Sequence, residues 1–346
     1  MLQIKFNLSI FSTLLFSLSI WAGPKEIRQV IKQYQEEGKL NGAILVAQSG
    51  TILCDTAVGW ANKELKLKNT VETHFYGASI TKTFTAVAIA QLVEQKKLTY
   101  QDPVKKYLPQ LKGFANTITI HQLLTHTSGI PDYEVEMKST TPTTNEVVLD
   151  WLNTEDRLNF EPGSQHKYCN SGFILLAKII EKVSGISYET YLKERIFQPA
   201  QMQKTTLYKE ITQKGKEVAI GYTKDGVLDD FEITTYGDTG LLTTTTDLYR
   251  YAYSLSHSAV LPIAQQMSMY TPVTLTNGKT ANYGYGWRVV EQNKHKVVYH
   301  KGGLNGFKSI LWRDLADDTV IVLLTNQGDC LPTDALVKDL YKAAQL

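Results

Sequence analysis

The sequence predicts an α/β fold of the α+β kind, an antiparallel sheet flanked by N- and C-terminal helices with a mostly helical domain inserted between its halves. Three observations predict it. Strand-like runs are confined to the two ends of the chain, near 43–58 and 286–324. Few crossover helices separate neighbouring strands, which disfavours a parallel sheet. An amphipathic helix stands at each end, able to cover one sheet face. The 346 residues are 43% hydrophobic and 20% charged, with 23 Gly and 10 Pro, enough to bury a large core and too apolar for disorder. Lys and Arg number 36 against 34 Asp and Glu, a net charge of +2 with no basic stripe. A nucleic-acid partner is therefore not expected, and a small-molecule or peptide substrate is.

Residues 1–22 carry a single Lys and an apolar stretch from 8 to 22 without an acid, and read as a signal peptide. The expectation is a secreted or periplasmic product with no stable membrane span after its removal. Residues 24–37 place Ile27, Val30, Ile31 and Tyr34 at helical spacing, with Pro24 suited to the first turn and Gly38 to the stop. Two Ile- and Val-rich runs, 43–47 and 52–58, flank Ser49-Gly50 and read as a hairpin. The pattern from 79 to 95 is helical, with Phe84, Val87, Ala88, Gln91 and Leu92 on one side. Further helices are predicted at 118–125, 146–152, 171–183, 188–197 and 246–255. The last quarter alternates strands at 286–291, 296–299, 307–312 and 319–324, then ends in a helix at 333–344. The sheet part is thus assigned to about 23–75 and 280–346, and the helical part to about 76–279. The seam between them is where a ligand site is expected.

Ser79-Ile80-Thr81-Lys82 forms an S-x-x-K. If a helix starts at Ser79, residues three apart share a face, so the Lys82 ammonium stands one turn from the hydroxyl and can ease its deprotonation. The helix N-terminus would favour the developing negative charge. A second S-x-x-K, Ser164 to Lys167, follows Glu161-Pro162-Gly163 in turn-like sequence with no helix to align it. Tyr168-Cys169-Asn170 is the only Y-x-N, pairing a phenol suited to general-base work with an amide two residues on. A free tyrosine has a pKa near ~10, so this role demands a neighbouring cation such as Lys82. His300-Lys301-Gly302 is the only H-x-G, at a strand end where a side chain can face substrate and the glycine admits a substrate backbone.

In this order the three motifs resemble the serine β-lactamase/penicillin-binding-protein superfamily, in its class C β-lactamase and DD-peptidase-related branch. Similar text surrounds each motif: GASITKTFTAVAIAQLVEQKKL, HQLLTHTSGIPDY, FEPGSQHKYCNSGF, GDTGLLTTTTDLYRYA and YGYGW. The resemblance spans nearly all of residues 23–346 and implies the β-lactamase/transpeptidase-like fold. It implies that Ser79 is the acylated nucleophile, Lys82 its proton-relay partner, Tyr168 the general base, Asn170 the amide orienting substrate and lysine, and His300 the third-motif residue. The oxyanion hole would be the backbone N–H groups of Ser79 and Gly303. His126 and Ser128, within the LLTHTSG segment, are expected to be structural hydrogen-bonders.

His300 stands where true class C β-lactamases have Lys, and so lacks a permanent cation for a β-lactam carboxylate. Lys301 should point to the other face of its strand. Arg288 has two readings, a contact for a peptide carboxylate or a surface residue packed on Trp287. Cys169 should be a small buried side chain, and Cys54 with Cys330 is a possible bridge. Metal binding finds no support, since His121 and His126 are five apart and H-E-x-x-H is absent; no cofactor is expected. The function expected is an exported serine hydrolase working through an acyl-Ser79 intermediate. A D-alanyl-D-alanine carboxypeptidase or related D-amino-acid peptidase ranks first, then an esterase or β-lactamase. A non-turnover penicillin-binding receptor is the alternative of another class.

Overall fold

The computed structural model describes residues 24–138, 142–208, 217–229 and 234–346. The proposed signal peptide lies outside the described residues. Six strands form one antiparallel sheet in the spatial order Arg288–Gln292, His295–Leu304, Phe307–Asp314, Thr319–Thr325, Gly42–Gln48, Thr51–Val58. The N-terminal hairpin thus completes a C-terminal meander: Ile44 faces Leu323 and Val46 faces Ile321 across the junction. Ser49 and Gly50 both take positive φ, 48° and 78°, the backbone that a two-residue hairpin turn requires.

One sheet face is covered by the first helix, Lys25–Glu36, and the last, Thr333–Ala344. Ile27, Ile31, Leu336 and Leu340 pack there on Ile44, Val46, Ile310, Ile321 and Leu323. The alternate residues Leu45, Leu311, Val322 and Leu324 face the larger core of the helical region. That region is built on two adjacent helices, Thr81–Glu94 and Asn170–Ser184. The first is buried nearly all round, as an internal helix should be. Among the described residues no helix is long and apolar enough to cross a membrane.

The predicted helices and main strands are present with ends shifted by one to a few residues. The strand predicted at 296–299 runs on to Leu304, so that it carries the whole H-x-G motif. Several short elements were not foreseen. Phe75–Tyr76, Leu241–Thr243 and Thr206–Leu207 form a small sheet of two- and three-residue strands. Such lengths are too short to show a periodicity. Cys54, Cys169 and Cys330 are all free thiols, so the possible bridge between Cys54 and Cys330 is not formed.

Candidate active site

Ser79 does not begin an α-helix. It lies in a 3₁₀ turn, Ala78–Ile80, and the α-helix starts at Thr81. Ala78 before it adopts φ 47°, a left-handed conformation that costs a side-chain-bearing residue energy. Packing holds this turn in place. Gly77 N–H donates to Leu241 O at 2.8 Å, and Ser309 Oγ donates to Gly77 O at 2.8 Å. The strand carrying Gly302 presses against the same turn: a Cβ at Gly302 would lie 2.4 Å from Gly77 O and 2.9 Å from Ala78 Cβ. Gly302 therefore admits the turn that carries Ser79 and not, as expected, a substrate backbone. The open position is Gly303, exposed and with nothing within 4 Å of an added Cβ.

From this turn Ser79 Oγ accepts a hydrogen bond from Lys82 Nζ at 3.1 Å. Lys82 is fully buried and also donates to Asn170 Oδ1 at 2.7 Å and Asp238 O at 2.9 Å. Burial pushes its ammonium toward neutrality, but Tyr168, Asp238 and Glu134 outweigh that and raise its pKa above the ordinary lysine value. Its Nζ stands 5.0 Å from the centroid of the Tyr168 ring. Asn170 opens the Asn170–Ser184 helix; its Nδ2 donates to Glu134 Oε2 at 2.8 Å and leans to Asp132 Oδ2 at 3.5 Å. Tyr133 Oη donates to Asp238 Oδ2 at 2.7 Å. Burial raises the pKa of Asp132, Glu134 and Asp238, while the Lys82 charge opposes it in each. The result is an acidic wall that holds one buried cation beside the serine.

The opposite wall is imidazole and phenol. Tyr168 lies between His126, at 4.3 Å between ring centroids, and His300, at 6.2 Å. His126 Nδ1 accepts from Cys169 N–H at 3.1 Å, and His126 O accepts from Lys167 N–H at 3.0 Å, so His126 clamps the Tyr168 segment on both sides. His300 Nδ1 contacts Lys301 O at 2.7 Å and must carry the proton there. Its Nε2 therefore accepts from Tyr283 Oη at 2.9 Å. Burial, with the Lys82 and Arg288 charges, pushes His300 down to about 3, so the imidazole is neutral. Arg288 pairs in register with Tyr299 on the neighbouring strand. Its guanidinium lies 6.0 Å from the Tyr283 ring rather than on Trp287, and it has no acidic partner among the described residues.

Other expected residues fall outside this chemistry. Lys301 Nζ pairs with Asp334 at 2.6 Å, on the face of the last helix. Ser164 Oγ turns back on Glu161 O at 2.6 Å, so the second S-x-x-K stays a turn. Cys169 Sγ points at Ile130 O and Pro131 O, and burial pushes its thiol up to about 12, too high for a reactive thiolate. Away from the cleft, His295, Asp314 and Asp317 bring donor atoms within 4.8 Å of one another. Hydrogen bonds from His295, Tyr341 and Gln345 already occupy those carboxylates. Asp132, Glu134, Asp238 and Tyr283 were not singled out from the sequence. Asp132, Asp238 and Tyr283 fall within the segments HTSGIPDY, GDTG and YGYGW, their only signal, and Glu134 stands one residue beyond the first of these.

A family model described as Beta-lactamase matches residues 27–345. Penicillin-binding protein 4* of Bacillus subtilis (strain 168) is 34% identical over 330 residues, covering 88% of this chain and 72% of that protein. The solved structure of an octameric penicillin-binding protein homologue from Pyrococcus abyssi superposes with a TM-score of 0.81 at 30% identity, over 92% of this chain and 76% of that one. A D-amino acid amidase from Ochrobactrum anthropi SV3 has the same fold, with a TM-score of 0.80 at 23% identity over 92% and 98% of the two chains.

Proposed function

Because the chain belongs to the Beta-lactamase family, and so is a serine hydrolase of the acyl-transfer type, we propose that it is an exported D-alanyl-D-alanine carboxypeptidase or related D-amino-acid peptidase with Ser79 as its nucleophile. The observation that carries the reading is the Lys82 ammonium, buried, counter-charged and 3.1 Å from Ser79 Oγ. Ser79 Oγ attacks the scissile carbonyl carbon while its proton passes to the oxygen of Tyr168 in its phenolate form, with Lys82 stabilising the negative charge that moves between them. The carbonyl oxygen becomes an oxyanion facing the N–H groups of Ser79 and Gly303, donors worth about 3 kcal/mol each in comparable sites. The C–N bond then breaks, Tyr168 returns the proton to the leaving amine, and an ester to Ser79 remains. A water molecule, deprotonated by Tyr168, hydrolyses that ester. Asn170 orients Lys82.

A peptide is favoured over a β-lactam because His300 is neutral and Arg288, which has no acidic partner among the described residues, offers a carboxylate anchor on a separate strand. Export rests on the apolar segment at 8–22. The intact mass of the protein should gain a transient acyl adduct with D-Ala-D-Ala peptides and p-nitrophenyl esters, and Ser79→Ala should gain none. Peptide turnover undiminished in Ser79→Ala would defeat the reading. A permanent penicillin adduct with no peptide turnover would instead make the protein a receptor.

A further inference from the structure

A cavity of about 120 Å³, partly open to solvent, lies outside the cleft, lined chiefly by Tyr188, Tyr208, Tyr236, Glu181 and Glu189. An apolar cavity of about 150 Å³ admits a benzene ring, so a guest of similar size is in range here. Glu181 stands three turns beyond Asn170 on the same helix, a rise of about 16 Å, which separates this cavity from Ser79 and Tyr168. Tyr188 Oη shares a hydrogen bond with Thr85 Oγ1 at 2.6 Å, and Tyr236 Oη donates to Glu181 Oε1 at 3.1 Å. With those hydroxyls engaged, this stacked pair of phenols offers a guest its ring surface. Lys178 is shared between Glu181 and Glu146, at 2.6 and 3.2 Å, so one ammonium answers two carboxylates. Glu189 adds a third, and no Lys or Arg lines the cavity among the described residues. Ring faces and excess carboxylate both attract a cation and repel an anion.

The cavity shares a wall with the catalytic apparatus. Thr235, Tyr236 and Gly240 line it from loop 235–240. From the same loop Asp238 O accepts from Lys82 Nζ at 2.9 Å, and Gly237 O accepts from Thr85 Oγ1 at 2.6 Å. The loop is tightly packed, since a Cβ at Gly237 would lie 2.6 Å from both Ala177 Cβ and Phe173 O. Packing that close passes a displacement on rather than absorbing it. We propose that this cavity is a regulatory site for a small organic cation, an alkylammonium, whose binding shifts the loop carbonyl that holds Lys82 and slows the enzyme. The binding stands without the reading given under Proposed function; the effect on rate rests on Lys82 assisting Ser79.

The probes are choline chloride and its uncharged isostere 3,3-dimethylbutan-1-ol, titrated at constant ionic strength and followed by their methyl proton resonances, with p-nitrophenyl acetate hydrolysis measured alongside. Wild type should bind choline about tenfold more tightly than the alcohol, the scale of a desolvated cation on aromatic rings. Saturating choline should lower kcat about fivefold with KM unchanged, the low end of coupling between two sites. Glu189→Gln keeps the shape of the wall and removes one charge; it should weaken choline about fivefold and leave the choline-free rate as in wild type. Glu134→Gln, changed in the cleft instead, should bind choline as wild type does. Equal affinity for choline and the alcohol overturns the proposal. So does choline that raises KM alone, or that is weakened by Glu134→Gln and not by Glu189→Gln, because it then occupies the cleft. Choline that binds as expected and leaves kcat unmoved removes the regulatory role if Lys82→Met is slow; if Lys82→Met acylates as fast as wild type, the fault lies in the reading of Lys82.

Discussion

Lys82 and His300 are both closed off from solvent, at 0% and 1% exposure, and both are bases in the same cleft, yet the first is held charged and the second neutral. Burial acts on both in the same direction, against the proton. The difference lies in what surrounds them. Lys82 has Asp238 and Glu134 near it, the phenol of Tyr168 beside it, and two oxygen acceptors besides the serine. His300 has Lys82 and Arg288 as its charged neighbours, one backbone carbonyl and one hydroxyl donor. Desolvation alone therefore does not decide protonation in this cleft; the sign of the neighbouring charge does. The arrangement leaves a single buried cation at the serine, where the proposed acylation would have negative charge move.

The sharpest way to break the comparison is to remove that cation without removing its bulk. Lys82→Met should lower the rate of Ser79 acylation by about a hundredfold or more, since a preorganised group that stabilises charge developing in the transition state contributes on the order of 10²–10³. It should also lower thermal stability, because the acidic wall loses its counter-ion and unpaired buried charge is strongly destabilising. Single-turnover acylation and a melting curve read the two effects separately. Acylation within tenfold of wild type would show that Lys82 is only a structural cation.

Much of this contrast could be read before the fold was known, and the remainder could not for identifiable reasons. Ser79 and Lys82, and likewise Tyr168 and Asn170, are close in sequence, so that local geometry ties each pair together. His300 was marked by its H-x-G. Asp238 lies 156 residues from Lys82 and Glu134 lies 36 from Asn170, and nothing local marks either as a partner. The acidic wall is a product of tertiary packing alone. The 3₁₀ turn at Ser79 was hidden for a similar reason. The local pattern favours a helix start there, and the two neighbouring strands bearing Gly302 and Ser309, more than 200 residues later, hold the turn in its tighter form. The main sheet was more legible, because strands of five or more residues show their alternation in the chain itself.

The neutral wall gives the next effect. The His300 pKa is depressed to about 3 from an ordinary 6.5, so the unfolded chain takes up a proton here that the folded protein refuses. Its stabilising contribution is complete above about 6.5 and is lost as the pH falls from there toward about 3. Replacing the imidazole by an uncharged acceptor for Tyr283 should flatten that slope. His300→Gln should therefore lose less stability than wild type between pH 7 and pH 4, by on the order of 2 kcal/mol, measured by urea unfolding at each pH. Parallel curves for the two proteins would mean that His300 protonates in the folded state without penalty, and the contrast with Lys82 would collapse.

The smallest effect sharpens the acidic side. Asp238 raises the Lys82 pKa through its charge while Asp238 O accepts from Nζ, and the backbone contact survives a change of side chain. Asp238→Asn keeps an oxygen acceptor for Tyr133 and removes only the charge. The folded-state pKa of Lys82 must then fall. If catalysis needs the ammonium, the alkaline limb of the kcat/KM profile moves to lower pH, while the rate near neutrality drops by about tenfold or less, the scale of one nearby charge. The direction of the limb carries the argument. A limb that stays in place would show that Asp238 lends Lys82 no charge, its buried carboxyl being protonated or the raised pKa being held by Tyr168 and Glu134, and a limb that moves to higher pH would contradict the charge argument outright.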